Sequence, residues 1–419
     1  MQPKTPLLEE LAWRGLLHQH TDGLAGALAA RSVSAYAGFD PTASSLHVGS
    51  LIPVMGLMHL QLHGHKPFAV VGGGTGLIGD PSGKVAERQL NTAETVEENS
   101  RGLRQQLERF LDFSGSNAAE MRDNADWLRP LGAIEFMREV GKHFTVNYML
   151  AKESVSQRME AGISYTEFSY MLLQAYDYRE LFRREGVTLQ VGGSDQWGNI
   201  TAGLELIRRT DGGDAHALTF PLVTNSAGSK FGKTESGNVW LDAGRTSPYR
   251  FYQFWRNIDD DDAARYLRFF TLLPRETITG LEQSIAERPQ DREAQQALAR
   301  EVTTRVHGED AARVAEDVSR LLFAKGDPAT LSADALMALS REVPFVEVET
   351  LDNVVDGLVA LGLAPSKGAA RRLVDQGGAS VNGKRMTSAT EPPGQPLHGK
   401  YHLVKKGSRD YGLIMLRGA

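Results

Sequence analysis

Ser34-Ala35-Tyr36-Ala37-Gly38-Phe39-Asp40-Pro41-Thr42, followed closely by His47-Val48-Gly49-Ser50, is the stretch on which the reading of this chain turns. Small and aromatic residues run to a glycine, an acid and a proline, the pattern of a strand delivered into a turn. Ser45 is placed to cap a helix beginning near Leu46, so the stretch reads strand, turn, helix. A helix N-terminus after a strand offers unpaired N–H groups and a positive dipole end, and so suits a phosphate. His47 adds a donor, and Gly49 has no side chain to keep a base or ribose off the backbone. A capped helix whose histidine faces water fits those four residues as well.

Working outward, Pro67-Phe68-Ala69-Val70-Val71 and Thr188-Leu189-Gln190-Val191 read as two further strands, each followed by a glycine-rich turn. Residues 32–241 therefore read as a parallel α/β sheet, with ligands expected at the carboxyl ends of its strands. From Ser247 strand signals give way to charged, Ala- and Leu-rich helical sequence. Lys325-Gly326-Asp327-Pro328 opens a linker around one short helix, and Val381-Asn382-Gly383-Lys384 is a hairpin turn. The expected organisation is a Rossmann-like catalytic domain at 1–246, an α-helical domain at 247–325, a linker at 326–350 and a small α+β domain at 351–419.

Charge follows the same division. The chain is −6 overall, yet from Leu351 onward 10 Lys/Arg face 5 Asp/Glu, so the tail is +5 and the preceding 350 residues are −11. An appended basic module is the natural reading. The absence of cysteine excludes disulfides, thiolate zinc sites and cysteine nucleophiles. No apolar run approaches a membrane span and the first residues carry no apolar signal core, so a cytoplasmic protein is expected.

The second chemical constellation is Lys230-Phe231-Gly232-Lys233-Thr234, flanked by glycine and serine. Two lysines three apart on a loop can close over a triphosphate and neutralise charge developing at the α-phosphate. Taken alone, a solvated lysine loop is the more ordinary reading. Tyr170, Gln174 and Asp177 stand at i, i+4 and i+7 on one helical face, and such a face is by itself most often solvated. Gly72-Gly73-Gly74-Thr75-Gly76 is compatible with close packing or with a ligand, and it lacks the acidic partner of a dinucleotide fingerprint.

Together and in this order, the two constellations resemble the paired HIGH and KMSKS signatures of class I aminoacyl-tRNA synthetases. Gly38 to Thr42, Thr75-Gly76-Leu77-Ile78-Gly79-Asp80-Pro81-Ser82-Gly83-Lys84, Tyr170-Met171-Leu172-Leu173-Gln174-Ala175-Tyr176-Asp177, Gly192-Gly193-Ser194-Asp195-Gln196-Trp197-Gly198-Asn199 and Lys230 to Thr234 resemble the bacterial tyrosyl family in particular. The resemblance covers nearly the whole chain and ends in an S4-like RNA-binding tail. It implies that Tyr36 and Asp177 meet the phenolic hydroxyl of tyrosine. Tyr170 and Gln174 would hold its α-amino group with help from Asp80, and Gln196 its carboxylate. ATP would lie along Gly38, Asp40, His47, Gly49, Ser50, Gly193, Asp195, Lys230 and Lys233. Phenylalanine would leave the Tyr36 and Asp177 groups buried without partners, at about 1–3 kcal/mol each. Tyrosyl enzymes are themselves the standing illustration of such discrimination, and they need no editing domain.

The reaction implied is in-line attack of the ionised tyrosine carboxylate on the α-phosphate. His47, Lys84, Arg88, Lys230, Lys233 and Thr234 would stabilise the phosphate, Lys233 foremost. Magnesium would arrive with the nucleotide, with no dedicated metal site and no prosthetic group. Ser50 departs from the family pattern by standing where a second histidine is usual. Pro53 cannot donate to the Gly49 carbonyl and is expected to kink the helix. For tRNA the candidate surface is Lys367, Arg371, Arg372, Lys384, Arg385, Lys405, Lys406 and Arg409, with Arg208 and Arg209 near the acceptor arm. A homodimer is implied, its interface falling within residues 136–165, although Phe144, Val146, Tyr148 and Met149 fit an ordinary core equally well. A tryptophanyl enzyme, a non-catalytic RNA binder and an unrelated nucleotidyltransferase are the competing readings. The tyrosine set, the complete ATP set and the basic tail respectively speak against them.

Overall fold

The computed structural model describes residues 6–82, 90–152, 155–156, 159, 162–226, 228, 231–234, 237–324 and 326–417, with the side chains of 233 and 234 excepted. By compactness the chain divides into two units, 1–246 with 258–298, and 247–257 with 299–419. The helical stretch expected as one domain at 247–325 is therefore shared between them.

The first unit is built on a six-stranded sheet in the order β1-β6-β5-β2-β3-β4. Its strands are β1 (Gln19–His20), β2 (Ser34–Phe39), β3 (Lys66–Val71), β4 (Glu120–Asp123), β5 (Val187–Gly193) and β6 (His216–Phe220). β2 to β6 pair in parallel and only β1 runs antiparallel, on β6. Parallel strands need crossover segments that cover both faces, which is why β3 and β6 are buried along nearly their whole length rather than at alternate residues. Winding reverses between β2 and β5, where Tyr36 lies opposite Gln190. The crevice beyond their carboxyl ends is the expected ligand position in such a sheet.

Two helices fix the crevice walls. Tyr165–Glu185 starts at Ser164, whose side chain accepts from the Glu167 N–H at 3.2 Å, and ends at Gly186 with φ 65°. Leu51–Leu62 begins five residues later than the sequence suggests. Pro53 is the reason: it has no N–H for the Gly49 carbonyl, so Val48–Ser50 closes as a 3-10 turn and the α-helix starts behind it. Proline in a first helical turn costs no intrahelical bond, so Pro53 is accommodated at the start of the α-helix. Ser45 is not the cap. Its hydroxyl donates to the Leu46 carbonyl at 2.7 Å and accepts from Gln106 and the Asp242 N–H.

The second unit carries a five-stranded sheet, β11-β10-β12-β13-β9. It comprises β9 (Phe345–Val348), β10 (Ala379–Val381), β11 (Lys384–Arg385), β12 (Tyr401–Lys406) and β13 (Asp410–Leu416), all antiparallel except β9 on β13. Thus the expected linker contributes an edge strand to the tail. The hairpin read at Asn382-Gly383 joins β10 to β11, with φ of 49° and 83° at its two central residues. Val354, Leu358, Ala370, Val374, Val404 and Ile414 are buried together between this sheet and its helices.

Gly56 shows how tightly the first unit packs. A Cβ added there would lie 2.0 Å from Cζ of Phe220, whereas one added at Gly26 meets nothing within 4 Å. Gly56→Ala is expected to destabilise by about 1–3 kcal/mol through overpacking, while Gly26→Ala is neutral or slightly stabilising. Thermal melts of the two variants check this, and equal apparent Tm values would contradict it.

Candidate active site

A cavity of about 590 Å³ opens at the carboxyl ends of β2 and β5. Its floor at one end is Tyr36, which is 2% exposed, packs edge-on against Tyr178 at 5.3 Å, and has a buried hydroxyl with no hydrogen-bond partner among the described residues. Beside it lies the buried Asp177 carboxylate. Trp127 Nε1 donates to Oδ1 at 2.7 Å and Asn124 Nδ2 to Oδ2 at 2.8 Å. Asn124 is itself held by the Gly74 N–H, which donates to its Oδ1 at 2.7 Å, and it donates to Thr75 Oγ1 at 2.8 Å. Burial pushes the Asp177 carboxyl up to about 8, outweighing these two donors, and the nearby acids Asp40 and Asp123 add to the rise. Burial also raises the Tyr36 phenol, with Asp177 contributing.

Further along the cavity the Tyr170 hydroxyl donates to Asp40 Oδ2 at 2.8 Å, and Thr75 Oγ1 donates to Asp40 Oδ1 at 2.7 Å. Burial, then the charges of Asp40 and Asp80, push the Tyr170 phenol well above its ordinary value. Asp80 accepts from Gln196 Nε2 at 2.6 Å and from the Ser82 N–H at 2.9 Å, and Gln174 joins the same wall. The described lining holds Asp40, Asp80, Asp177 and Asp195 and no lysine or arginine. The Asp80 carboxylate with the Tyr170 hydroxyl and Gln174 suits an ammonium group at this part of the cavity.

The opposite end has the features of a nucleotide shelf. Gly38 presents an open face, with nothing within 4 Å of an added Cβ. The Gly49 N–H donates to Nδ1 of His47 at 3.0 Å, so in the neutral ring the proton is carried on Nε2. Val48 N–H donates to Val239 and Leu241 N–H to Leu46, tying this turn to the segment just after the lysine loop and its short hairpin, β7 (Lys233–Thr234) and β8 (Gly237–Asn238). A Cβ added at Gly193 would fall 2.5 Å from Oδ1 of Asp195, so a side chain there would displace that carboxylate from its position. Gly49, Gly193 and Asp195 all line the cavity.

The structure thus gathers Tyr36, Gly38, Asp40, His47, Gly49, Asp80, Tyr170, Gln174, Asp177, Gly193, Asp195 and Gln196 around one cavity. Ser50 is not among the lining residues, whereas Pro53 is. Lys84, Arg88 and Lys230 lie outside the described residues, as do the side chains of Lys233 and Thr234. Asn124, Trp127 and Gln190 were missed. Gln190 is 2% exposed, lines the cavity and has an unpartnered Oε1 among the described residues. The glycine run carried a partial signal for Asn124. A Cβ at Gly73 would meet Asp123 at 2.3 Å, so close packing against the end of β4 is its role.

In the tail, Arg371 and Arg372 are exposed on helix Lys367–Asp375, and Arg409 is exposed. Lys367 pairs with Asp356 at 2.6 Å and Lys384 with Glu391 at 2.8 Å. Lys405 sits over the Tyr411 ring, Arg385 packs against Gly377, and Lys406 is half-buried. In the first unit Arg208 and Arg209 both pair with Glu205. Exposed pairs of this kind are weak and exchange readily for phosphate contacts.

A parallel-sheet domain with this cavity, followed by helices and a small β-containing tail, has the architecture of a class I tRNA synthetase. Residues 28–324 match the family described as class I tRNA synthetases (W and Y), and residues 335–414 match the Tyrosine–tRNA ligase SYY-like C-terminal domain. The Tyrosine–tRNA ligase of Anaeromyxobacter dehalogenans strain 2CP-1 is 54% identical over 417 residues, covering 98% of this chain and 99% of that one. That of Geobacillus stearothermophilus is 52% identical over 415 residues, covering 97% and 99%. A C-terminally truncated mitochondrial tyrosyl-tRNA synthetase from Aspergillus nidulans superposes with a TM-score of 0.70 at 30% identity, over 76% of this chain and 95% of that one. The chain belongs to the tyrosine–tRNA ligase family.

The raised Asp177 pKa has a sign that can be tested. A carboxyl whose folded pKa exceeds its ordinary 3.8 stabilises the fold fully below that value and loses the contribution as pH climbs to about 8. Without tyrosine, the apparent Tm of the protein relative to Asp177→Asn should fall across that window and level off above it. A difference that does not vary with pH would contradict the shift.

Proposed function

We propose that this chain activates L-tyrosine with ATP and then transfers the tyrosyl group to the 3′ end of its tRNA. The observation that carries the reading is the unpartnered Tyr36 hydroxyl, buried beside a carboxylate already fixed by Trp127 and Asn124. A para-hydroxyl supplies what this end of the cavity lacks: it accepts from Tyr36 and donates to Asp177. Tyrosine so placed directs its ammonium towards Asp80, Tyr170 and Gln174 and its carboxylate towards Gln196 and the nucleotide shelf. Asp40 is assigned to the nucleotide, and its bond to Tyr170 links the two subsites. Ser50 and Gly38 belong to the nucleotide set by sequence, Gly193 and Asp195 to the ribose.

The nucleophile is a carboxylate oxygen, ionised at neutral pH, so no general base is required. It bonds to the α-phosphorus as the bond to pyrophosphate breaks, and catalysis rests on positioning and charge stabilisation. His47 donates through Nε2. Lys84, Arg88, Lys230, Lys233 and Thr234 are the groups assigned to the expanding phosphate, and Mg2+ arriving with the nucleotide would add to the neutralisation of its charge. In the second step a ribose hydroxyl attacks the carbonyl carbon of the adenylate and AMP leaves. As a functional division we assign 1–246 to catalysis, 247–325 to the anticodon side, 326–350 to the connection and 351–419 to RNA binding, with β9 of the connection built into the sheet of the RNA-binding segment.

A homodimer is part of the reading. Ile134 at 71%, Met137 at 54%, Val146 at 61% and Tyr165 at 71% exposure form an apolar run in and beside residues 136–165, whereas Phe144 and Met149 are buried in the core. No described helix is long and apolar enough to cross a membrane, and the chain is assigned to the cytoplasm with the rest of translation.

Pyrophosphate exchange with each amino acid supplied separately tests the activity, and exchange with tryptophan but not tyrosine would refute it. In Tyr36→Phe the kcat/KM for tyrosine should drop by the equivalent of about 1 kcal/mol while that for phenylalanine does not. For the RNA step, Arg371→Glu with Arg372→Glu should weaken tRNA charging and flatten its salt dependence while leaving exchange intact. Unchanged charging would remove helix Lys367–Asp375 from the RNA surface.

A further inference from the structure

Helix Asp260–Phe270 lies in the same compact unit as the cavity, yet no catalytic or binding role has been given to it. Four of its residues grip the chain just before the lysine loop and within it. Before the loop, the Tyr266 hydroxyl donates to the Thr224 carbonyl at 3.0 Å, and Arg265 Nη2 donates to the same oxygen. The Ser226 N–H donates to Oδ2 of Asp262 at 2.9 Å, and Oδ1 of that carboxylate, only 3% exposed as a residue, accepts from Arg265 at 2.6 Å. Within the loop, Phe231 is buried against the rings of Tyr266 at 4.8 Å and Phe270 at 5.3 Å. The Phe231 N–H donates to the Val223 carbonyl at 3.2 Å and closes the loop at its base.

One residue on, the path is equally determined. Gly232 has φ 80°, and a Cβ there would lie 2.5 Å from Cγ2 of Val48, the neighbour of His47. Its carbonyl accepts from Val239, and the Val239 carbonyl in turn accepts from Val48. A lysine on a tethered loop contributes to catalysis only if its ammonium is held near the phosphate without a reorganisation cost, and a misplacement of about 1 Å is expensive. Phe231 sits between Lys230 and Lys233 in sequence, so its socket fixes the chain from which Lys233 follows two residues on.

We infer that helix Asp260–Phe270 is the positioning platform for the lysine loop in adenylate formation, with Tyr266 and Asp262 as positioning residues that act through Lys230 and Lys233. This rests on the tyrosine-activating reading above.

Single-turnover formation of tyrosyl adenylate by Tyr266→Phe, Asp262→Ala, Lys233→Ala and the combination of Tyr266→Phe with Lys233→Ala tests it. Tyr266→Phe keeps the ring against Phe231 and removes only the grip on Thr224. It should slow the step roughly three- to tenfold, the weight of one hydrogen bond, with the equilibrium affinity for tyrosine unchanged. Asp262→Ala should slow it further with the same signature. In the combination the two effects should fall well short of multiplying, because one acts through the other. A parental rate in Tyr266→Phe, fully multiplicative effects, or a parallel loss of tyrosine affinity would overturn the assignment. Absence of tyrosyl adenylate from the parent chain would instead overturn the activity itself, and this assignment with it.

Discussion

The buried carboxylate of Asp177 is the constraint around which the active site is organised. A charge at that depth is costly, and the two fixed donors, Trp127 and Asn124, lower the cost without removing it. Their bonds also fix the carboxylate plane, so that its remaining lone pairs point where a hydroxyl proton can reach them. Tyr36 supplies the complementary donor, held by Tyr178 and by its position in the middle of β2. Under the proposed function, recognition by such a pair would be sharp, because a ligand without the hydroxyl would leave polar atoms buried and unpaired.

Polar atoms continue this logic from one end of the cavity to the other. Asp40 takes bonds from Tyr170 and Thr75, Thr75 also bonds Asn124, and Asn124 reaches Asp177. The phenol end and the nucleotide shelf are thus ends of one hydrogen-bonded chain rather than separate pockets. Each link uses up an acceptor or donor that would otherwise be stranded, and a network so satisfied is rigid. The backbone bonds of Leu46 and Val48 to Leu241 and Val239 do the same for the His47 turn, fastening it to the far end of the lysine loop.

Much of this was legible in the residues themselves. The strands at 34–39 and 66–71, the helix carrying Tyr170, Gln174 and Asp177, and the Asn382-Gly383 hairpin follow from local patterns, because period, capping serine and left-handed turn positions are properties of a few neighbouring residues. The helix after His47 was misplaced by five residues. The cap seemed to be Ser45, whose hydroxyl is engaged by Gln106, 61 residues away, while the decisive residue was Pro53 downstream. The linker at 326–350 was misread in the same way, since β9 is a strand only by virtue of its pairing with β13.

Sequence alone determined which groups the chain carries: a phenol, carboxylates at helical spacing, a histidine turn and two lysines three apart, in an order that resembles class I synthetases. Tertiary structure decided which of these groups meet. Asn124 and Trp127 reach Asp177 because β4 pairs in parallel with β3, Gln190 faces the cavity because β5 lies against β2, and Phe231 docks against two rings of a helix some 35 residues further on. Local sequence fixes backbone preference over a few residues. The partners of a buried polar group come from contacts distant in the chain, and those exist only once strands have paired and helices have packed.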